Sequence, residues 1–352
     1  MHIDLRSDTA TRPTPGMLQA MMNAKVGDDV FGEDPSIIEL QNKTAELFGM
    51  EAGLFCPSGT MTNQIAIKTH TQPGDELICD SNAHIYNYEG GGIAFNSGVQ
   101  AKLLTGDRGR ITAEQIAEQI NPGFDWLAKT SLVNIENTSN RSGGSVYDLE
   151  EIKKIAALCK QQKLKFHLDG ARIFNALIET KGPENLTGMD KINFLAKENG
   201  KCFDSISVCF SKGLGTPVGS VLLGTSEFIN RARRIRKVFG GGMRQAGFLA
   251  AAGTYALEHH ILRLKEDHRR AAILASELNQ LPYVDSMLPA DTNIVIFTLN
   301  DSISADNFVA TLKQNNIVCS GFGKQKIRFV THLDFTDEML EQTIHVLKKI
   351  TK

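Results

Sequence analysis

The sequence predicts an α/β protein: a mainly parallel sheet between helices, followed by a smaller α+β unit. Three observations predict it. From residue 52 to 237, short apolar or β-branched runs alternate with stretches of helical period, the rhythm that builds parallel sheets. Polar turns follow the strand signals, where open α/β sheets gather their ligands. After Pro282 the order changes to strand, helix, strand, strand, helix. The 352 residues, at ~100–200 per domain, suffice for both parts. We expect an arm over 1–15, a large domain over 16–245 and a small one over 246–352.

The elements follow in order. Segment 4–15 is polar and broken by Pro13 and Pro15, so it is not helical as a whole; it is either loose or docked near a site. Residues 17–25 form a short helix. The acidic, glycine-rich loop 27–35 lacks EF-hand spacing and reads as a solvated loop with a helix start at Asp34-Pro35. Helix 36–48 repeats Ile37, Leu40, Thr44, Leu47 and Phe48 on one face. Strand 52–56, helix 61–69, strand 76–79 and a short helix opening at His84 and ending at Gly90-Gly91-Gly92 come next. Strand 100–104, helix 112–120, strand 130–136, helix 149–162 and strand 165–168 continue the alternation. A further helical stretch leads to the strand 207–210, then strand 219–223 and an arginine-rich helix 226–237. Beyond Gly240-Gly241-Gly242 lie helix 245–258, rich in alanine and glycine, and helix 262–281. Strand 292–299, helix 305–315, strands 317–320 and 326–330 and helix 336–348 complete the chain.

Composition excludes several classes. A formal net charge of -2 offers no basic surface to nucleic acid. No stretch approaches the ~20 apolar residues of a membrane span. The six cysteines are scattered without a CxxC pair, as in a reduced cytoplasmic protein. The N-terminus has no apolar run, so no signal peptide is expected.

Chemistry gathers at the strand ends. Lys212 stands between Ser211 and Gly213 after a buried strand. Desolvation there is expected to lower its pKa and free an amine for attack on a carbonyl, as a Schiff-base lysine requires; a plain turn lysine is the alternative. Ser58, Gly59 and Thr60 lie between a strand and a helix, where free N–H groups cradle phosphate, or where Ser58 or Thr60 simply caps the helix. The GxxxxGK[ST] and GxGxxG spacings are missing, which disfavours nucleotide and nicotinamide sites. Asp169 ends an apolar strand, and a carboxylate there needs a cation such as a pyridinium nitrogen, unless it is an N-cap. His84 can stack on a ring and exchange a proton, or be an ordinary loop histidine. Arg172, expected one turn into the next helix, can grip a ring oxygen or an anionic substrate. Arg328, inside a strand, meets either a substrate carboxylate or a structural ion pair. No metal-ligand set is expected. Together these groups are what pyridoxal 5'-phosphate (PLP) requires.

The sequence resembles the L-threonine aldolases of low-specificity and L-allo-threonine type, PLP enzymes of aspartate-aminotransferase-like fold. The resemblance spans nearly the whole chain. It is carried by Asp4-Leu5-Arg6-Ser7-Asp8-Thr9, Val26-Gly27-Asp28-Asp29-Val30, Ser58-Gly59-Thr60, His167-Leu168-Asp169-Gly170-Ala171-Arg172, Phe210-Ser211-Lys212-Gly213-Leu214-Gly215-Thr216-Pro217-Val218-Gly219-Ser220 and Gly240-Gly241-Gly242-Met243-Arg244-Gln245. It implies a mainly parallel seven-stranded sheet and retro-aldol cleavage of β-hydroxy-α-amino acids to glycine and an aldehyde. Lys212 would then hold the cofactor, Asp169 its ring nitrogen, and Ser58, Gly59 and Thr60 its phosphate. Arg244 and Lys237 would join the phosphate from a neighbouring subunit. His84 would stack on the ring, and Ser7, Arg172 and Arg328 would bind the substrate carboxylate. A homotetramer built from dimers, each site shared across the dimer interface, is implied. One departure stands out: many relatives carry a second pocket histidine just before the strand near Thr130, where this chain has Trp126. The rival reactions are a β-eliminating lyase or an aminotransferase on the same fold, and, outside catalysis, a relative that only binds PLP or a partner.

Overall fold

The computed structural model describes residues 1–350. Its large sheet has seven strands, ordered edge to edge Ala52–Cys56, Ser220–Gly224, Ser205–Cys209, Lys165–Gly170, Lys129–Glu136, Asp75–Asp80 and Gln100–Leu104. All pairings are parallel except those of Ser220–Gly224, which runs against both neighbours. The parallel register sets Glu136 beside Asp169 and Asp169 beside Ser207, so three strands end on one rim. The chain returns from that rim through Lys212 to Gly219, whose φ of +125° and closeness to the Phe55 ring exclude a side chain.

The two faces of the central strands differ in kind. Val133, Ile135, Phe166, Leu168, Ile206 and Val208 enter the main apolar core. The alternate residues, Asn134, His167, Asp169, Ser205 and Ser207, are polar and equally buried. Helix Gly59–His70 covers that second face, with Asn63 and His70 two turns apart. The β-strand period thus puts fat on one side and hydrogen-bonding groups on the other.

The smaller sheet is antiparallel, ordered Ser320–Gly321, Lys326–Val330, Ile294–Leu299 and Val284–Met287. The single strand expected over 317–320 is split. Ile317–Val318 pairs in parallel with Ile3–Asp4, and only Ser320–Gly321 joins the small sheet. The N-terminal arm is therefore docked, with Ile3 and Leu5 buried beside Phe297, Phe308 and Phe329.

Other expectations shift for local reasons. Helix Pro15–Met22 starts earlier than expected because Thr14 caps it and Pro15 is preset for the first turn. A helix Gly92–Ser97 follows the glycine run, where glycine's poor propensity concealed it. The strand Val284–Met287 was also not foreseen. Residues 246–264, expected in the small domain, contribute Ala246, Ala250, Ala256, Leu257, Ile261 and Leu264 to the large core. Their small side chains let helix Gly247–His259 pack against Pro15–Met22 and Pro35–Phe48. The next helix, Leu264–Leu278, carries Ala271, Leu274 and Leu278 into the small core. The last two residues of the expected small domain lie outside the described residues. No helix among the described residues is long and apolar enough to cross a membrane.

Phe308 is fully buried, with the Tyr283 and Phe297 rings each 5.8 Å away. Phe308→Ala should cost about 3–5 kcal/mol through lost burial and the cavity left behind. Urea unfolding checks this; a loss below about 1 kcal/mol would mean that the small core can collapse around the gap.

Candidate active site

The rim of the large sheet is lined by acids that need partners. Asp169 is 1% exposed, and its carboxylate accepts from Asn63 Nδ2 (3.0 Å) and the Ala171 backbone N–H (3.1 Å). Lys212 follows the adjacent strand, three residues past Cys209. Its expected pKa drop is not found. Burial does favour the neutral amine, but the negative charge of Cys209, Asp169 and Asp8 outweighs both burial and Arg172 and raises the pKa. Cys209, with Asp169 and Asp8, holds a free Lys212 as the ammonium.

His84 opens helix His84–Asn87 where expected. Its backbone N–H donates to Glu136 Oε2 (2.8 Å), and its Nδ1 meets Glu89 Oε1 at 3.1 Å. Burial opposes the imidazolium, but Glu89, Asp169 and Glu136 prevail and raise its pKa. Ligand-capable atoms of His84, Glu89 and Asp169 lie within 4.8 Å of one another, so imidazole and carboxylates face one space. Burial and the neighbouring Asp169 push Glu136 up to about 7.

Arg172 caps helix Ile173–Glu179 rather than lying within it, because its φ of -131° is not helical. Its guanidinium grips Asp8 with two bonds of 2.7 Å, both side chains almost wholly buried. Burial would neutralise Asp8, but Arg172 holds it down at about 2. One edge of Arg172 remains, with Nη1 3.4 Å from Asn140 Oδ1. Arg328 Nη1 donates to that same oxygen at 2.9 Å, and Nη2 to the Arg6 carbonyl at 3.0 Å. Its Nε has no partner, and Phe322 stacks beneath it at 4.6 Å. The structural ion pair considered for Arg328 is absent among the described residues; burial and repulsion by Arg172 pull it down to about 10. Two guanidinium groups thus share one neutral oxygen, an arrangement that a carboxylate would complete. Ser7 lies beside Asp8, its hydroxyl 3.4 Å from Asp8 Oδ1.

Ser58 does cap helix Gly59–His70, its Oγ accepting from Met61 N–H at 3.2 Å. The cap leaves the free N–H groups of that 12-residue helix aimed past Gly59 and Thr60. A Cβ on Gly59 would meet Ser220 Oγ at 3.6 Å, and that hydroxyl is buried without a partner. Lys237 is exposed, and Arg244 pairs with Asp28 at 2.9 Å. The loop read as solvated is pinned, with Asp29 buried against Arg236 (2.5 Å). Trp126 is 74% exposed and stacked on Phe124, outside this chain's rim.

These residues fit PLP on the chemistry of their donors: a buried anion for the ring nitrogen, an amine for the aldehyde, a helix N-terminus for the phosphate and an unmatched arginine pair for the substrate. Asp8, Asn63, Glu89, Glu136 and Asn140 were missed in the sequence. Asp8, Asn63 and Asn140 meet partners far away in the sequence, whereas Glu89 meets His84 five residues back and Glu136 the Asn140 N–H four residues on.

A fold of this kind with such a rim defines a PLP-dependent lyase. A family model described as beta-eliminating lyase matches residues 4–302. The low specificity L-threonine aldolase of Escherichia coli strain K12 is 40% identical over 341 residues, covering 97% of this chain and 96% of that one. The low-specificity L-threonine aldolase 1 of Arabidopsis thaliana is 39% identical, covering 97% and 94%. A threonine aldolase structure from Leishmania major superposes with a TM-score of 0.82 over 99% of both chains; at 21% identity it speaks for the fold alone. The chain belongs to the beta-eliminating lyase family and, within it, to the low-specificity L-threonine aldolases.

Glu136 makes stability depend on pH. Its folded pKa, about 7, exceeds its ordinary 4.5, so between those values the folded state binds the extra proton. Stability therefore falls as pH rises through that window. Glu136→Gln should flatten the fall, as read by denaturant unfolding from pH about 4.5 to about 7; an unchanged slope would remove Glu136 as its source.

Proposed function

We propose that this protein cleaves L-threonine and L-allo-threonine, and related β-hydroxy-α-amino acids, to glycine and an aldehyde. The observation that carries this is the arginine pair sharing Asn140 Oδ1 beside a rim where His84, Glu89 and Asp169 face one another and Lys212 follows the strand next to that of Asp169. The relatives' names supply the substrate class.

The residues divide the work. Lys212 would hold the cofactor through its amine, Asp169 through the ring nitrogen, and Ser58, Gly59 and Thr60 through the phosphate. When bound, PLP supplies the electron sink that takes up the Cα–Cβ bond pair. Arg328 and the free edge of Arg172, with Ser7 beside them, bind the substrate carboxylate and so orient the bond to be broken. His84 spends Nδ1 on Glu89, which leaves Nε2 to stack over the ring space and take the β-hydroxyl proton. Glu89 stabilises the imidazolium that results. The hydroxyl oxygen becomes the aldehyde carbonyl as Cα–Cβ breaks, and a proton delivered to Cα completes glycine.

Lys237 and Arg244 we assign to the phosphate of a neighbouring copy, in a cytoplasmic homotetramer built from dimers. The exposed positions of both residues in this chain support that role.

Incubation of the purified enzyme with threonine should yield glycine; pyruvate or 2-oxobutyrate would point to β-elimination or transamination instead. Lys212→Ala should abolish turnover and the visible band of the lysine-bound cofactor, and normal cleavage by that variant would end the assignment. Arg328→Ala should keep the cofactor while kcat/KM falls about a hundredfold or more, since an interaction with a charged group is lost. An unchanged kcat/KM would reject the clamp.

A further inference from the structure

One hydrogen-bonded chain runs beneath helix Gly59–His70 to the rim. Asn63 Nδ2 donates to Asp169 Oδ2 (3.0 Å) and to Glu89 Oε1 (2.9 Å). Asn63 Oδ1 lies 3.1 Å from His167 Nε2. His167 Nδ1 lies 2.8 Å from Ser205 Oγ, and that oxygen lies 2.8 Å from His70 Nε2. Asn63, His167, Ser205, Asp169 and Glu89 are all buried, and His70 is stacked on Phe228 at 4.5 Å.

The direction of the chain follows from its ends. An ionised carboxylate only accepts, so both N–H groups of Asn63 are committed to Asp169 and Glu89. Its oxygen must then accept, and His167 carries its proton on Nε2. The other tautomer could donate to the Ser205 carbonyl, 3.1 Å from Nδ1, but would set a lone pair against Asn63 Oδ1. Burial holds His167 neutral, down to about 4, so Nδ1 accepts the Ser205 hydroxyl proton. Ser205 Oγ accepts in turn from His70. Four neutral groups thereby aim their positive ends at two carboxylates.

We propose that Asn63 is a positioning residue of the active site, holding Asp169 and Glu89 together as acceptors and so joining the partner of the cofactor's ring nitrogen to the partner of His84. This rests on the PLP reading above. His167, Ser205 and His70 keep the Asn63 amide from turning over. With its N–H donated to one oxygen, Asn63 fixes the Asp169 carboxylate as an acceptor for the protonated ring nitrogen it would pair with. Gln64 secures the far side of Glu89 (Nε2 to Oε2, 2.7 Å), and Gly92 makes room for it, since a Cβ there would lie 2.5 Å from the Gln64 amide.

The test compares holoenzymes carrying ¹⁵N-labelled pyridoxal 5'-phosphate: wild type, Asn63→Leu, His167→Leu and His167→Gln. Two readouts besides activity are the cofactor's dissociation constant and the ¹⁵N shift of its ring nitrogen. Asn63→Leu should weaken cofactor binding about tenfold to a hundredfold, the loss of a hydrogen bond to a charged group, and move the ring nitrogen towards the unprotonated shift. His167→Leu should do the same to a smaller degree. His167→Gln, which can still donate to Asn63 Oδ1, should restore both. If Asn63→Leu does not fold, the His167 pair decides. Wild-type affinity and shift in both leucine variants would overturn the proposal alone. A wild type that takes up no cofactor would overturn the PLP reading and this proposal with it.

Discussion

The buried pair of Asp8 and Arg172 is the interaction on which the rest of the site depends. It joins an arm that belongs to the small core to a turn that belongs to the large sheet. Both charges are out of water, so each is tolerable only because the other is present, with Asn293 as a third partner. The pair uses up one edge of Arg172 and leaves the other turned towards Asn140 and Arg328. The place for a substrate carboxylate is what remains after two units have been locked together.

The same rule, that a buried charge must be answered, organises the opposite side of the rim. The central strands bury one apolar and one polar face, and the polar face is affordable only under a helix that presents Asn63 and His70. Asp169, Glu89 and Glu136 are three acids within a small volume, each answered by N–H groups rather than by a lysine or arginine. A surplus of acceptor charge persists there, visible in the raised pKa of His84 and of Lys212. Such a pocket favours a cationic ring nitrogen.

Much of this was legible in the chain. Alternation of strand and helix signals located the sheet, and the strand-end positions of Lys212, Asp169 and Ser58 were readable because a turn after a strand leaves its groups free. The error over Lys212 is instructive: burial could be inferred from the apolar strand before it, but the charges that reverse its effect are Cys209, three residues back, and Asp169 and Asp8, which only the fold brings near. Arg328 was visible as a charge inside a strand, yet its lack of an acidic partner was not. The glycine run hid helix Gly92–Ser97 because propensity there is overruled by packing.

By itself, the sequence determined the layered α/β class, the strand-end lysine and aspartate, and the cap that frees the N-terminus of helix Gly59–His70. These are local consequences of period and of turn chemistry, carried by residues a few positions apart. Tertiary structure alone decided that Asp8 answers Arg172, that Asn63 bridges Asp169 and Glu89, and that Arg172 and Arg328 share Asn140. Those contacts join residues up to 188 positions apart. Side-chain hydrogen bonds form at about 3 Å, and only the completed packing of sheet on helix fixes which groups come that close.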